Sequence, residues 1–396
     1  VGLTACTAGS TESSDPTDGT APGATGVQPT SVAPPAPFTG SDEEFYEVPD
    51  PLEADEPGAL IRVQPIPGEP DAPARSYKVM YHSRDAIDRD RAVTGIITVP
   101  TGAAPEGGWP VIAWAHGTTG LASVCAPSRS ESTAPTFGIE GIGVATDYIG
   151  LGPVGERHAY LSGASEAHSV VDAVRAAHGL VGEAAGEQWL AIGHSQGGHA
   201  ALFTNELGAA YAPELDILGT VSVAPAAVLE RTFGPEDQVV PRMVGIMALY
   251  GIATDHPELE PDDYLSEQAA AHEHVIDEGC TNEIVGEMLQ VPAEVLYDHD
   301  PIETEPARSI VAENDPGHVA VDVPLLVVQG TADTWVVPAR TEVLMAQLCS
   351  VGQVVELLEI PDATHDSVVA QATPGITAWF SDRLSGDEPV DGCPSG

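Results

Sequence analysis

Gly193-His194-Ser195-Gln196-Gly197 follows the apolar run Trp189-Leu190-Ala191-Ile192 and opens onto Gly198-His199-Ala200-Ala201-Leu202-Phe203. The run before it has the length and character of a buried strand, and the small and apolar residues after it read as the first turns of a helix. Strand, G-x-S-x-G and helix, in that order, describe a sharp turn that lifts a serine hydroxyl above the end of a sheet. Gly193 and Gly197 lack a Cβ, so strand and helix can approach closely around Ser195. The helix N-terminus directs N–H groups, that of Gln196 among them, toward the place where an oxyanion would form.

A serine nucleophile needs a base, and the base needs an orienting acid. On this turn the chain order is Ser, then Asp or Glu, then His. Val323–Gly330 reads as a strand, and Asp333 lies in the loop beyond it. Val354–Ile360 reads as the last strand, followed by Pro361-Asp362-Ala363-Thr364-His365-Asp366. Ser195, Asp333 and His365 are therefore the expected triad, with Asp362 and Asp366 as rival acids next to the histidine in sequence. Both loops sit at C-terminal ends of strands, where open α/β sheets carry their ligands. A second oxyanion donor is expected from the loop after an earlier strand. Trp109–Ala115 is that strand and His116-Gly117-Thr118-Thr119-Gly120 the loop. The N–H of Thr118 is the expected partner of the Gln196 N–H, with Thr119 next, and His116 reads as a support for the loop.

In these motifs the chain resembles the secretory lipase family of α/β-hydrolases, which includes the yeast lipase A type and many actinobacterial relatives. The matching pieces are His116–Gly120 with Cys125-Ala126-Pro127-Ser128, Ala145–Gly152, His158–Leu161 with Asp172–Ala177, Gly193–Gly198 and Asn314–Gly317. The yeast-type enzymes lack the His-Gly-Thr-Thr-Gly form of the oxyanion loop. The resemblance covers about residues 55–395. It implies an α/β-hydrolase fold, that is, a doubly wound, mainly parallel sheet, with a helical cap inserted after the sixth strand, and an esterase or lipase activity.

The chain has 396 residues, 42% of them hydrophobic, enough for a large core. Acidic residues number 60 against 14 basic ones, a net charge of −46, and Lys78 is the single lysine. Nucleic acid and anionic membrane surfaces are poor partners for such a field. The charge reads either as solubility, with a high-GC codon bias that favours Arg over Lys, or more sharply as adaptation to high salt, where self-repulsion is screened. Leu3-Thr4-Ala5-Cys6 resembles a bacterial lipobox, so 1–6 are read as the end of a lipoprotein signal with Cys6 lipidated. Residues 7–54, rich in Ser, Thr, Pro and Gly, are read as a disordered tether. Apart from this anchor no membrane contact is expected, and the location is the outer side of the cell membrane or the medium. Cys125, Cys280, Cys349 and Cys393 suggest two disulfides in an exported protein, with three possible pairings. The family resemblance implies Cys125–Cys280 and Cys349–Cys393.

Residues 59–65, 76–82 and 93–99 read as antiparallel strands with a hairpin turn near 86–90. The runs at 111–115, 143–146, 189–192, 219–223, 325–328 and 354–358 supply the parallel set, alternating with helices such as 165–178 and 341–349. The core thus spans 55–225 and 319–396. Residues 226–318 break the rhythm; helical patterns at 240–252, 265–276 and 282–289 read as a cap. Met243, Ile246, Met247, Leu249 and Tyr250 could line an acyl pocket or simply be core. Asp147 and Tyr148 read as scaffold. The His194/His199 and His272/His274 spacings lack supporting carboxylates, so no metal is expected. The reading is a monomeric serine ester hydrolase without a cofactor, acting on a small-molecule or lipid ester. The alternatives are a serine peptidase or acyltransferase on the same fold, and a non-catalytic binding protein.

Overall fold

A computed structural model describes residues 33–233, 239–292 and 295–394. Among these described residues nine strands form one sheet: β1 (Leu60–Pro65), β2 (Ala74–Arg84), β3 (Asp90–Pro100), β4 (Trp109–Ala115), β5 (Ile142–Thr146), β6 (Ala185–His194), β7 (Asp216–Val223), β8 (Leu325–Gly330) and β9 (Val355–Ile360). Their order is β1-β2-β3-β5-β4-β6-β7-β8-β9. The pairs β1/β2, β2/β3 and β3/β5 are antiparallel, and every other pair is parallel. The doubly wound, mainly parallel sheet expected from the alternation of elements is the one observed.

The central strand shows why its sequence is continuously apolar rather than alternating. Trp189 and Ala191 of β6 pack on one face, while Leu190 and Ile192 pack on the other. All four are buried, because both faces of a parallel sheet are covered by helices. Helices α1 (Asp42–Phe45), α2 (Gly163–Val181), α3 (Gln196–Tyr211) and, after the insertion, α10 (Pro338–Val351) and α11 (Val368–Ser385) belong to the core. Strand β9 lies at the sheet edge and carries Glu356 and Glu359, charges that discourage pairing with another chain.

Between β7 and β8 the chain leaves the sheet through α4 (Glu230–Phe233), α5 (Val239–Ile252), α6 (Glu267–Ala270), α7 (His274–Glu278), α8 (Thr281–Met288) and α9 (Ala307–Glu313). The insertion follows the seventh strand, in keeping with the seven strand-like runs before residue 226, and not the sixth that the family resemblance implied. The single helix expected over 265–276 is two short ones, α6 and α7, separated by a turn at residues 271–273. Its periodicity was locally right, but each piece packs separately: Ala269 and Val275 both reach the core of the insertion. That core, with Ile246, Met247 and Leu249 of α5, is contiguous with Leu121, Tyr160 and Leu161 from the sheet loops. The two ends of the insertion are pinned together where Leu229 N–H donates to Asp315 Oδ1 at 2.9 Å.

The tether expected over 7–54 is corrected over 33–54. Ser41 caps α1 in a reciprocal box with Glu44. Phe45 and Tyr46, both fully buried, pack on Met80 and Ala92, with Phe38, Val48 and Leu52 around them. Lys78, itself buried, bonds Asp42 at 2.5 Å and lies over the rings of Phe45 and Tyr46. Five apolar side chains in a Pro- and acid-rich segment are enough to dock it. Cys6 and the rest of 1–32 lie outside the described residues.

Candidate functional site

Ser195 sits between β6 and α3 with φ 60° and ψ −115°, a left-handed conformation that costs energy for a residue with a Cβ. Its neighbours make room. A Cβ on Gly193 would lie 1.8 Å from the Gly197 carbonyl oxygen, and one on Gly197 would lie 1.9 Å from that of Ala115. The strained peptide is held on both sides: Ser195 N–H donates to Val223 O (2.9 Å), and Ser195 O accepts from the N–H groups of His199 and Ala226 (both 3.1 Å). Ser195 is the N-cap residue of α3, yet its hydroxyl makes no capping bond.

That hydroxyl lies 2.9 Å from His365 Nε2, in the loop between β9 and α11. His365 Nδ1 donates to Asp333 Oδ2 at 2.7 Å, which leaves Nε2 as the acceptor facing the serine. The second oxygen of Asp333 accepts from the N–H groups of Trp335 (2.8 Å) and Val336 (3.0 Å), so the buried carboxylate has partners on both oxygens. Asp333, not either rival acid, bonds the His365 ring: Asp362 is exposed and tied through its N–H to Thr331, and Asp366 is exposed at the rim of the cavity that Ser195 and His365 line. Trp335 stacks on the His365 ring, with centroids 5.5 Å apart and planes within 10°. The His194 ring also packs against the His365 ring, with centroids 4.5 Å apart. Burial first, and then the neighbouring His365, push the His194 pKa down to about 4, so His194 is neutral beside the His365 ring.

Gln196 is the first residue of α3, so its N–H has no intrahelical partner. Thr118 follows β4 in the facing loop. Its hydroxyl is hydrogen-bonded to Tyr160 Oη (2.8 Å) and its carbonyl accepts from Thr281 Oγ1 (3.2 Å), which ties the loop on two sides. His116 supports the loop as expected, but through its backbone as much as its ring: its carbonyl accepts from Tyr148 Oη at 2.9 Å, while Nδ1 reaches only the neighbouring Gly117 carbonyl. Asp147 is scaffold, buried and bonded to Thr94 Oγ1 (2.6 Å), Ser128 N (2.9 Å) and the Ser128 hydroxyl.

The insertion grips this loop. Cys125 is bonded to Cys280, Gly120 pairs with Cys280 in an antiparallel bridge, and Thr281 N–H donates to Thr119 O at 2.9 Å. Arg157 forks onto Asp277 at 2.6 and 2.8 Å. Cys349 is bonded to Cys393, so of the three pairings open to the sequence the chain adopts the one implied by the family resemblance. A cavity of about 580 Å³ opens above Ser195 and His365. Its walls combine Thr118, Tyr160 and Trp335 from the core loops with Val244, Met247, Thr281 and Asn282 from the insertion. Of the α5 residues considered as pocket or core, Met247 reaches the cavity, Ile246 and Leu249 are core, and Tyr250 bonds Asp262 at 3.0 Å. The side chain of Met243 lies outside the described residues.

A buried polar network behind Ser195 was not legible from spacing. Glu166, in the first turn of α2, is fully buried and accepts from Leu161 N (3.0 Å), Gln196 Nε2 (2.8 Å) and His199 Nδ1 (2.7 Å). His158 donates from Nδ1 to Ile149 O (3.0 Å) and accepts from Gln196 Nε2 (2.6 Å). Burial lowers the His158 pKa to about 4, in keeping with that neutral tautomer. A lone Glu among the small residues opening α2 was the available signal.

Residues 138–392 match the secretory lipase family. The chain belongs to that family. Lipase A of Arthroderma benhamiae is 22% identical over 90% of this chain and 82% of its own length. A secreted triacylglycerol lipase of Malassezia globosa is 24% identical over 89% of this chain and 83% of its own. A probable inactive lipase of Mycobacterium tuberculosis is 24% identical, covering 90% and 84%. Among solved structures, closed-state Candida antarctica lipase A superposes with a TM-score of 0.71 at 17% identity, covering 89% of each chain. The rice cell wall degrading esterase LipA of Xanthomonas oryzae superposes at 0.66 with 18% identity, covering 84% of this chain and all of that one. The fold is that of the α/β-hydrolases.

Proposed function

We propose that this family member is an exported serine ester hydrolase that cleaves uncharged, lipophilic carboxylic esters such as acylglycerols. The observation that carries the reading is the continuous relay Asp333–His365–Ser195, bonded at 2.7 and 2.9 Å beneath a cavity. Ser195 Oγ attacks the ester carbonyl as His365 Nε2 takes its proton. The tetrahedral oxyanion is received by the N–H groups of Gln196 and Thr118. His365 then protonates the leaving alcohol, and water, activated by the same histidine, releases the acid from Ser195. Asp333 holds the imidazole in the tautomer that this needs. No step calls for a cofactor.

Residues 226–318 act as the cap that shapes the substrate cavity, an assignment supported by Val244, Met247, Thr281 and Asn282 in its wall. Secreted relatives support export. Among the described residues, no helix is long and apolar enough to cross a membrane. Cys6 would then anchor the enzyme by a lipid, with the Ser/Thr/Pro/Gly-rich stretch after it as the tether. One relative is named as probably inactive, so a binding protein on this fold is the reading to test against. Fluorophosphonate labelling mapped to Ser195, with turnover of p-nitrophenyl esters but not of matched amides, is the expected result. An unlabelled, natively folded protein would exclude the hydrolase, and amide turnover at comparable rates would favour a peptidase.

A further inference from the structure

His199 stands one turn beyond Ser195 and is fully buried. Both of its ring nitrogens face acceptors: Nδ1 the Glu166 carboxylate at 2.7 Å, Nε2 the Asn314 carbonyl at 2.8 Å. A neutral imidazole has one donor, so this geometry requires the doubly protonated ring. Burial, the largest single influence, opposes the charge, yet the Glu166 carboxylate, the Asn314 carbonyl and Asp315 together outweigh it and the His199 pKa is raised. An imidazolium and a carboxylate therefore lie locked together under the nucleophile. The same carboxylate receives the Gln196 side-chain amide at 2.8 Å, and neutral His158 receives it at 2.6 Å. An amide turned the other way would set its oxygen against the carboxylate, so the orientation is decided.

We propose that Glu166, His199 and the Gln196 side chain are positioning residues that aim the backbone N–H of Gln196 at the oxyanion. Gln196 has its backbone at the turn and its side chain bolted to α2, so it cannot rotate about the strained Ser195 peptide. His199 fixes the other side: its N–H donates to Ser195 O at 3.1 Å while its ring is held between Glu166 and Asn314. Asn314 also accepts the Gly163 N–H at 2.9 Å, so three segments close on one charge pair: the start of α2, the start of α3 and the exit of the insertion. The inference rests on Ser195 being the nucleophile and on the Gln196 N–H being an oxyanion donor.

An oxyanion donor acts on the transition state more than on the bound ester, so misaiming it lowers kcat with little change in KM. Gln196→Ala keeps the N–H and removes only the tie. With active enzyme counted by fluorophosphonate titration, its kcat on a p-nitrophenyl ester should fall by about 10- to 100-fold, the scale of a small misplacement at a reacting centre. KM should stay within about twofold. Glu166→Gln should behave alike, and the double variant should lose little more than either single one, because both cut the same tie. Gln196→Glu, which sets a second carboxylate against Glu166, should be worse than Gln196→Ala. Full kcat in Gln196→Ala, a loss confined to KM, or additive losses in the double variant would overturn the positioning role. Should Glu166→Gln not fold, Gln196→Ala decides alone. A wild-type protein that fluorophosphonate does not label would instead sink the assignment of Ser195, a separate outcome.

Discussion

At the scale of single residues, the site turns on hydroxyl and imidazole geometry that small changes can test. Ser195 makes no capping bond and is not needed to hold the elbow, whose fixed contacts run through its backbone. Ser195→Ala should therefore fold normally and lose ester hydrolysis by about 10⁴-fold or more. Turnover like the wild type would remove the central claim. Asp333→Asn would present an amide to His365 and to two backbone N–H groups, favouring the wrong tautomer; a severe loss in kcat is expected, as for His365→Ala. Asp362→Asn, at an exposed position, should leave kcat within about twofold, the scale at which exposed substitutions act. Steady-state kinetics of the four variants settles the acid, because an Asp362 effect exceeding that of Asp333 would reassign it. The order Ser, Asp, His and the strand-end loops were readable in the chain. Glu166 and His199 were not, because a buried ion pair leaves no periodicity and its members are 33 residues apart.

At the scale of elements, the insertion is fastened where catalysis would be most sensitive to it. Cys125–Cys280 closes a loop of 155 residues and Cys349–Cys393 one of 44. Chain entropy alone values these at about 5 and about 4 kcal/mol, a narrow difference. Their placements differ far more. The first clips α8 to the segment beside Thr118, next to the Thr281–Thr119 bond, whereas the second ties the tail to α10 near the sheet edge. Cys125→Ser with Cys280→Ser should thus lower kcat/KM several-fold more than Cys349→Ser with Cys393→Ser, at temperatures chosen so that both are equally folded. Circular dichroism melts and ester kinetics read this directly, and equal activity losses would contradict the cap-anchoring role. Element existence was legible from hydrophobic pattern, as at β4, β6, β8 and α10. The break between α6 and α7 was not, since tertiary packing decides where an apolar run stops being one helix.

Over the whole molecule, charge and buried histidines set the conditions of stability. Carboxylates exceed basic side chains by 46, so most of them have no cationic partner. Their repulsion reaches about 10 Å at 0.1 M salt and about 3 Å at 1 M. The melting temperature should rise between 0.1 and 2 M NaCl; a flat or falling curve would end the salt-adaptation reading. Acid works through His158 and His194, both brought to about 4 mainly by burial. Between about pH 6.5 and 4 the unfolded chain binds protons that these rings refuse, so their stabilising contribution, full above 6.5, drains as pH falls. The slope should reach about 1.4 kcal/mol per pH unit for each ring. His158→Gln should flatten the urea-derived stability profile by about one proton over that window, and an unchanged slope would refute it. His199 runs the other way: its raised pKa makes its contribution full below about 6.5 and lost as pH climbs through the folded value.

The sequence by itself determined the sheet and the bonded set Ser195, His365 and Asp333, because both are written in short-range code: apolar runs of strand length, glycines where a Cβ would collide, and an acid and a base in the loops after particular strands. It also held the terminal segment's docking, though composition hid it: Phe45 and Tyr46 are few among prolines and acids, and only the groove offered by Met80 and Ala92 makes them buried. Tertiary structure decided which of the three pairings left open by the cysteine count forms, where the insertion rests, and that Glu166 meets His199 and Gln196 behind the serine. Each of these joins residues far apart in the chain: the insertion reaches the loop after β4, α2 packs against α3, and the tail returns to α10, long-range packing that no local pattern encodes.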